Sequence, residues 1–235
     1  MTTLKISGVG KKYFRNGNEF WAVNNIDLTV EQGSFINIIG RSGSGKTTLM
    51  NLIAGLLRPS EGEIMVGDKK LNELNDDGLS YMRNTDVSYI MQGNSALKNL
   101  TVSQNVFLPY YLFMSKDPAK RHDTAEFKEK EEETMELLKK LGISHLADSS
   151  PTKLSGGEVK RMSIARALIN HPKIILADEP TGDLDPENTE TVLKLFRSIA
   201  DENVTVISVT HENENRLTSA DAIYKMENGK LSKVD

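Results

Sequence analysis

Gly40-Arg41-Ser42-Gly43-Ser44-Gly45-Lys46-Thr47 sets a lysine and a hydroxyl directly behind three glycines. The spacing fits G-x-x-x-x-G-K-[ST], with an apolar strand pattern before it and a helical pattern after it. Gly40, Gly43 and Gly45 let the backbone turn tightly and aim its N–H groups at phosphate oxygens. The start of the following helix adds partial positive charge. Lys46 is placed to reach the β- and γ-phosphates of a nucleoside triphosphate, and the Thr47 hydroxyl to face Mg²⁺. Thr48 can donate toward the α-phosphate, and Ser42 and Ser44 belong to the same cradle. An ordinary glycine-rich turn between strand and helix needs neither Lys46 nor Thr47. ATP with Mg²⁺ is therefore the ligand this segment implies.

A second constellation closes another apolar run, Ile174-Ile175-Leu176-Ala177-Asp178-Glu179. Adjacent carboxylates at the end of a buried strand repel each other and need a reason. A Mg²⁺ beside a triphosphate supplies one. Asp178 would hold the cation, and Glu179 would point at the attacking water as general base. Alone, the motif also describes a solvated strand end.

Leu154-Ser155-Gly156-Gly157-Glu158, ahead of a helical pattern from Val159 to Ile169, decides between the many uses of a phosphate loop. A Ser-Gly-Gly turn at a helix start reads as a second anion-binding nest, although a simple capping turn looks the same in isolation. The segment resembles the LSGGQ signature of ABC ATPases, and the resemblance covers essentially the whole chain. It implies a head-to-tail dimer of two copies, in which Ser155, Gly156 and Gly157 of one cap the γ-phosphate held by the other. It implies that Gln92 is the Q-loop glutamine, a metal-site and catalytic residue, and that Thr181-Gly182-Asp183-Leu184-Asp185 is the D-loop. It makes His211 the switch histidine against the γ-phosphate, and Tyr13 the aromatic on adenine. Phe14, Phe20 and Trp21 remain alternatives to Tyr13. Such stacking is worth roughly 1–3 kcal/mol.

The wording Ala177-Asp178-Glu179-Pro180-Thr181-Gly182 and Asn105-Val106 is similar to the lipoprotein-release, macrolide-export and antimicrobial-peptide-export group. The resemblance then implies an integral membrane permease as partner, with the chain at the cytoplasmic face of the membrane. A related reading has the same ATP engine regulating a non-transport membrane partner, in cell division or antibiotic sensing. A soluble ABC protein of DNA repair or translation fits less well, because no coiled-coil arm or basic tail is present. Three positions depart from the pattern. Glu158 replaces glutamine and needs either to point away from phosphate or to pair with Lys160 or Arg161; Gly93 and Asn94 follow Gln92; and Glu212 follows His211.

The elements that must position these residues are legible in outline. Leu4-Lys5-Ile6 and Ile26-Asp27-Leu28-Thr29-Val30 alternate as half-buried strands, with Asn16-Gly17-Asn18 as a loop between them. Phe35 to Ile39, Lys173 to Ala177 and Val204 to Ser208 are continuous apolar runs that suit a parallel sheet. Helical spacing runs from Thr47 to Leu57, closed by Pro59, and from Glu187 to Ala200. Glu63 to Val66 reads as a strand, and Glu227-Asn228-Gly229 as a hairpin turn between Ala222–Met226 and Lys230–Lys233. The dense charge run from Asp123 to Leu141 reads as a solvated helix face with Phe127, Thr134, Leu138 and Leu141 as its buried stripe.

The sum is an α/β chain: a P-loop NTPase, RecA-like core with an N-terminal antiparallel β subdomain and an inserted α-helical subdomain. The core and β subdomain take residues 1–76 and 156–235, and the insert residues 77–155. Composition agrees with one soluble ATPase domain. Hydrophobic residues at 38% and charged residues at 26% exclude a disordered chain. The net charge of -4 gives no basic surface for nucleic acid, and zero cysteines exclude disulfide scaffolds, thiolate metal sites and thiol catalysis. No run approaches the roughly 18–20 apolar residues of a membrane helix.

Overall fold

The computed structural model describes residues 1–15, 17–93, 95–114, 124–211 and 218–234. Asn16, Asn94, Asp123 and Glu212, each named above, lie outside the described residues. In chain order the elements are β1 (Thr2–Arg15), β2 (Asn18–Glu31), β3 (Phe35–Ile39), α1 (Lys46–Ile53), β4 (Glu61–Val66), β5 (Lys69–Lys70), α2 (Asp76–Thr85), β6 (Val87–Ile90), α3 (Val102–Met114), α4 (Thr124–Lys140), α5 (Gly156–Leu168), β7 (Ile174–Asp178), α6 (Pro186–Asp201), β8 (Thr205–Thr210), β9 (Ala222–Glu227) and β10 (Lys230–Lys233).

Two sheets carry the molecule. An antiparallel sheet has the order β2-β1-β4-β5, and a six-stranded sheet the order β10-β9-β3-β8-β7-β6. From β9 to β6 every pairing in the second sheet is parallel. The apolar runs explain this: all residues of β3, β7 and β8 are buried, as strands covered by helices on both faces require. Strand alternation then divides the core. Ile174 and Leu176 face a cluster with Leu4, Ile38, Leu49 and Met82, whereas Ile175 and Ala177 face one with Phe35, Val106, Met162 and Phe196. This is the α/β fold anticipated, with its antiparallel piece at the N-terminus.

Several bounds differ. β1 and β2 run 14 residues each, far beyond the short strands expected. Register shifts between Ile6 and Val9 and between Val9 and Lys11 break the alternation that would have revealed one long strand. α1 stops at Ile53 rather than Leu57, because Gly55 takes φ 63° and closes the helix before Pro59 is reached. β4 begins at Glu61, so Gly62 lies within it. The expected insert, 77–155, opens with α2 and β6, which belong to the core instead. Leu79 and Met82 of α2 enter the first cluster, and β6 pairs with β7. The helices that stand apart are α3 and α4, packed with α5. On α4, Thr134, Leu138 and the following Leu141 are buried and Phe127 is half-buried, the stripe read from spacing. The hairpin forms as anticipated: Asn228 at φ 49° and Gly229 at φ 78° give the two left-handed residues that a tight turn between β9 and β10 needs.

Asp86, at the junction of α2 and β6, ties three elements together. Its carboxylate accepts from Lys69 Nζ at 2.5 Å and Lys173 Nζ at 2.9 Å, and its carbonyl from the Lys173 and Ile174 N–H groups. Burial pushes its carboxyl up, but the two ammoniums outweigh burial and hold it below the usual range. A lowered folded-state value contributes stability above the unfolded carboxylate value that is lost as pH falls through the folded one. Asp86→Ala should therefore cost about 2 kcal/mol in urea unfolding at neutral pH. The gap between variant and wild type should shrink below about pH 4. A gap independent of pH would contradict this role.

Candidate active site

β3 delivers the chain into the glycine-rich loop, and α1 begins at Lys46 with Gly45 as N-cap. Gly45 has φ 109°, and a Cβ there would lie 2.0 Å from the Ala22 carbonyl oxygen. A Cβ at Gly40 would meet the Met226 carbonyl oxygen at 2.4 Å, whereas Gly43 has open space and needs only its φ of 79°. The loop is thus wedged between β2 and β9. The Gly229 N–H also donates to the Ser44 carbonyl at 3.1 Å, so the β9–β10 turn supports the loop from behind. Lys46 is buried, its Nζ folded across the loop onto the Gly40 carbonyl at 2.6 Å and the Arg41 carbonyl at 3.2 Å. An ammonium held on carbonyls at the mouth of an N–H-lined loop is placed to turn toward phosphate oxygens.

A cleft of about 760 Å³ opens here. It gathers Ser42, Gly43, Gly45, Lys46, Thr47 and Thr48 with Gln92, Asp178, Glu179 and His211, although these come from four separate stretches of chain. Tyr13, Phe20 and Trp21 form an aromatic wall, with the Tyr13 and Phe20 rings stacked at 5.9 Å. Phe14 is exposed and outside the cleft. Gly40 and Ser44 do not line it; the Ser44 hydroxyl is buried toward Gly40 with no hydrogen-bond partner among the described residues. Ala22, Asn228 and Gly229, not anticipated as site residues, complete the lining.

Asp178 is buried, bonded by Thr47 and by the Tyr89 hydroxyl, which donates to Oδ2 at 3.2 Å. Burial pushes its carboxyl up against the pull of those two donors. Burial and the Asp178 charge likewise push the Tyr89 phenol up. Tyr89 escaped the sequence reading because only the β6–β7 register, Tyr89 opposite Leu176, brings it to the face that Asp178 shares. Glu179 takes the left-handed φ of 48°, unusual for a residue with a side chain, and its N–H donates to the Val209 carbonyl at 2.9 Å. Its Oε2 lies 2.9 Å from His211 Nδ1. A carboxylate and an imidazole in contact at a cleft wall can orient a water and accept its proton. Behind Gln92, Arg166 clamps Ser95 through its carbonyl and hydroxyl, and Asn105 bonds Leu97 in both directions.

Ser155, Gly156 and Gly157 do not line the cleft; they open α5. Ser155 is its N-cap, and Glu158 closes a capping box. Glu158 Oε2 accepts from the Ser155 N–H at 2.7 Å and the Ser155 hydroxyl at 2.8 Å, and these bonds hold its carboxyl below the usual range. The acid is therefore engaged by the helix start and not by Lys160, which turns inward to the Glu179 carbonyl. Nor do the glycines form an αR-αL nest, since neither has positive φ. A Cβ at Gly157 would fall 2.2 Å from Asn188 Oδ1 on α6, so a side chain there would displace Asn188 from the bond it donates to Asp185. What the segment offers an anion is the first N–H groups of a helix.

A family model described as "ABC transporter" matches residues 23–182. The lipoprotein-releasing system ATP-binding protein LolD of Saccharophagus degradans is 36% identical over 98% of this chain and 96% of its own. The macrolide export ATP-binding/permease protein MacB of Mannheimia succiniciproducens is 39% identical, also over 98% of this chain, which spans only 34% of that protein. Among solved structures, a dimeric post-hydrolysis state of the ATP-binding cassette MJ0796 bound to ADP and Pi superposes with a TM-score of 0.85. It is 32% identical over 99% of both chains.

Gly157→Ala should lower stability by about 1–3 kcal/mol through the clash with Asn188. Adding Asn188→Ala should recover about 1 kcal/mol of it in a double-mutant cycle read by denaturant melts. Additive losses would contradict the packing role.

Proposed function

Because this chain belongs to the ABC transporter family of ATP-binding proteins, we propose that it is the ATP-hydrolysing subunit that powers a membrane permease of the export or lipoprotein-release type. The observation that carries the chemistry is the 2.9 Å contact between Glu179 and His211, in the same cleft as Lys46 and Thr47. Lys46 leaves the Gly40 and Arg41 carbonyls to bind the β- and γ-phosphates, while the loop N–H groups hold the remaining oxygens. Tyr13, with Phe20 and Trp21 beside it, takes the adenine face. Glu179 accepts the proton of the attacking water, and His211 fixes the carboxylate and faces the γ-phosphate.

Thr47, Asp178 and Gln92 offer a hydroxyl, a carboxylate and an amide oxygen, the hard donors that suit Mg²⁺. Among the described residues no group of three or more His, Asp or Glu could hold a metal alone. Thr47, Asp178 and Gln92 would hold the ion together with phosphate oxygens of ATP. Bound there, Mg²⁺ neutralises charge on the transferring phosphoryl group.

Ser155, Gly156 and Gly157 lie away from this chain's own cleft, so they serve the nucleotide of a second copy in a head-to-tail dimer. Closure joins phosphate loop to signature segment across ATP; hydrolysis releases the dimer and moves the permease. Among the described residues no helix is long and apolar enough to cross a membrane. The permease supplies the span, and this chain docks on its cytoplasmic face.

Glu179→Gln should slow ATP hydrolysis by about a hundredfold or more and leave ATP binding intact. The variant should accumulate as an ATP-bound dimer in light scattering. Undiminished turnover would remove Glu179 from the role of base.

A further inference from the structure

Lys160 is a buried ammonium that the reaction just described does not use. It lies on α5, one turn past the signature segment, and donates to the Glu179 carbonyl at 3.3 Å. The Gly182 N–H donates to the same oxygen at 3.2 Å. Glu179 sits in a left-handed conformation that its side chain disfavours, so its peptide must be held from several directions. The Val209 carbonyl holds its N–H, and Lys160 with Gly182 holds its carbonyl. Burial drives the Lys160 ammonium toward neutrality, and Asp183, Glu179 and Asp178 oppose it, in that order.

We propose that Lys160 is a positioning residue for hydrolysis: its ammonium, carried by the signature helix, fixes the peptide of Glu179 so that the carboxylate meets His211 and the attacking water. The inference rests on Glu179 as the general base. It also joins two functions in one rigid element. The helix that offers Ser155 to a partner's nucleotide grips this chain's own catalytic residue, so a shift of α5 on dimer closure reaches Glu179 directly.

The decisive variant is Lys160→Met, which keeps the length and removes the donor and charge. kcat should fall about tenfold to a hundredfold, with KM and the affinity for a fluorescent ATP analogue within about twofold of wild type. The side-chain ¹⁵N signals of His211, assigned with His211→Ala, should move in the nucleotide-free protein as the contact to Glu179 loosens. A kcat within about twofold of wild type overturns the inference. So does a fall in kcat matched by an equal loss of ATP affinity, or one with an unmoved His211 signal. If Lys160→Met does not fold, Lys160→Gln takes its place; its neutral donor should give a smaller fall in kcat at unchanged KM, and wild-type kcat in that variant overturns the inference equally. Full turnover in Glu179→Gln would sink the underlying reading. An inactive Glu179→Gln beside a fully active Lys160→Met would sink this inference alone.

Discussion

Two adjacent carboxylates at the end of a strand buried on both faces set the terms for the rest of the molecule. Asp178 and Glu179 can coexist there only if surrounding elements bring donors and positive charge to them. α1 contributes Thr47 and Lys46, β6 contributes Tyr89, the segment after β8 contributes His211, and α5 contributes Lys160. A parallel sheet suits this arrangement, since all its central strands end at one edge and their connections gather there. The charge problem is met by the same groups that would handle a triphosphate, so the stability of the site and its chemistry share their residues.

What was legible in the sequence follows from the range of each interaction. The phosphate loop is local: glycine spacing, lysine and threonine lie within eight positions, and the structure gathers most of them in one cleft. His211 was reached through the family resemblance, whereas Asp178 and Glu179 were readable as acids at the end of an apolar strand. Tyr89 and Lys160 were not. One depends on how two strands are registered, the other on which face of a helix the sheet covers, and neither is written in spacing alone. The length of β1 and β2 was hidden by bulges that reset the alternation. The boundary of the insert was misplaced because β6 has four residues, too few to interrupt a helical pattern, and because α2 buries only Leu79 and Met82.

The signature segment shows how one substitution can be absorbed by local geometry. Glutamate beside a phosphate site reads as a conflict on charge alone. In the fold Glu158 satisfies the first backbone donor of its own helix and the Ser155 hydroxyl together, a pairing in which an acid is favoured over an amide by the helix dipole. Gly157 carries a similar lesson. Its lack of a side chain answers to Asn188 across the α5–α6 contact, and a Cβ at Gly156 beside it would meet the Leu184 side chain at 3.3 Å.

The support that the β9–β10 turn gives the phosphate loop has a temporal side. The Met226 and Gly229 backbone that wedges the Gly40–Thr47 segment in place lies far downstream of it and is synthesised well after it. Nascent chains lacking those strands have the lysine and threonine but no rigid cradle around them. The loop therefore takes its wedged geometry only after these downstream strands have folded against it.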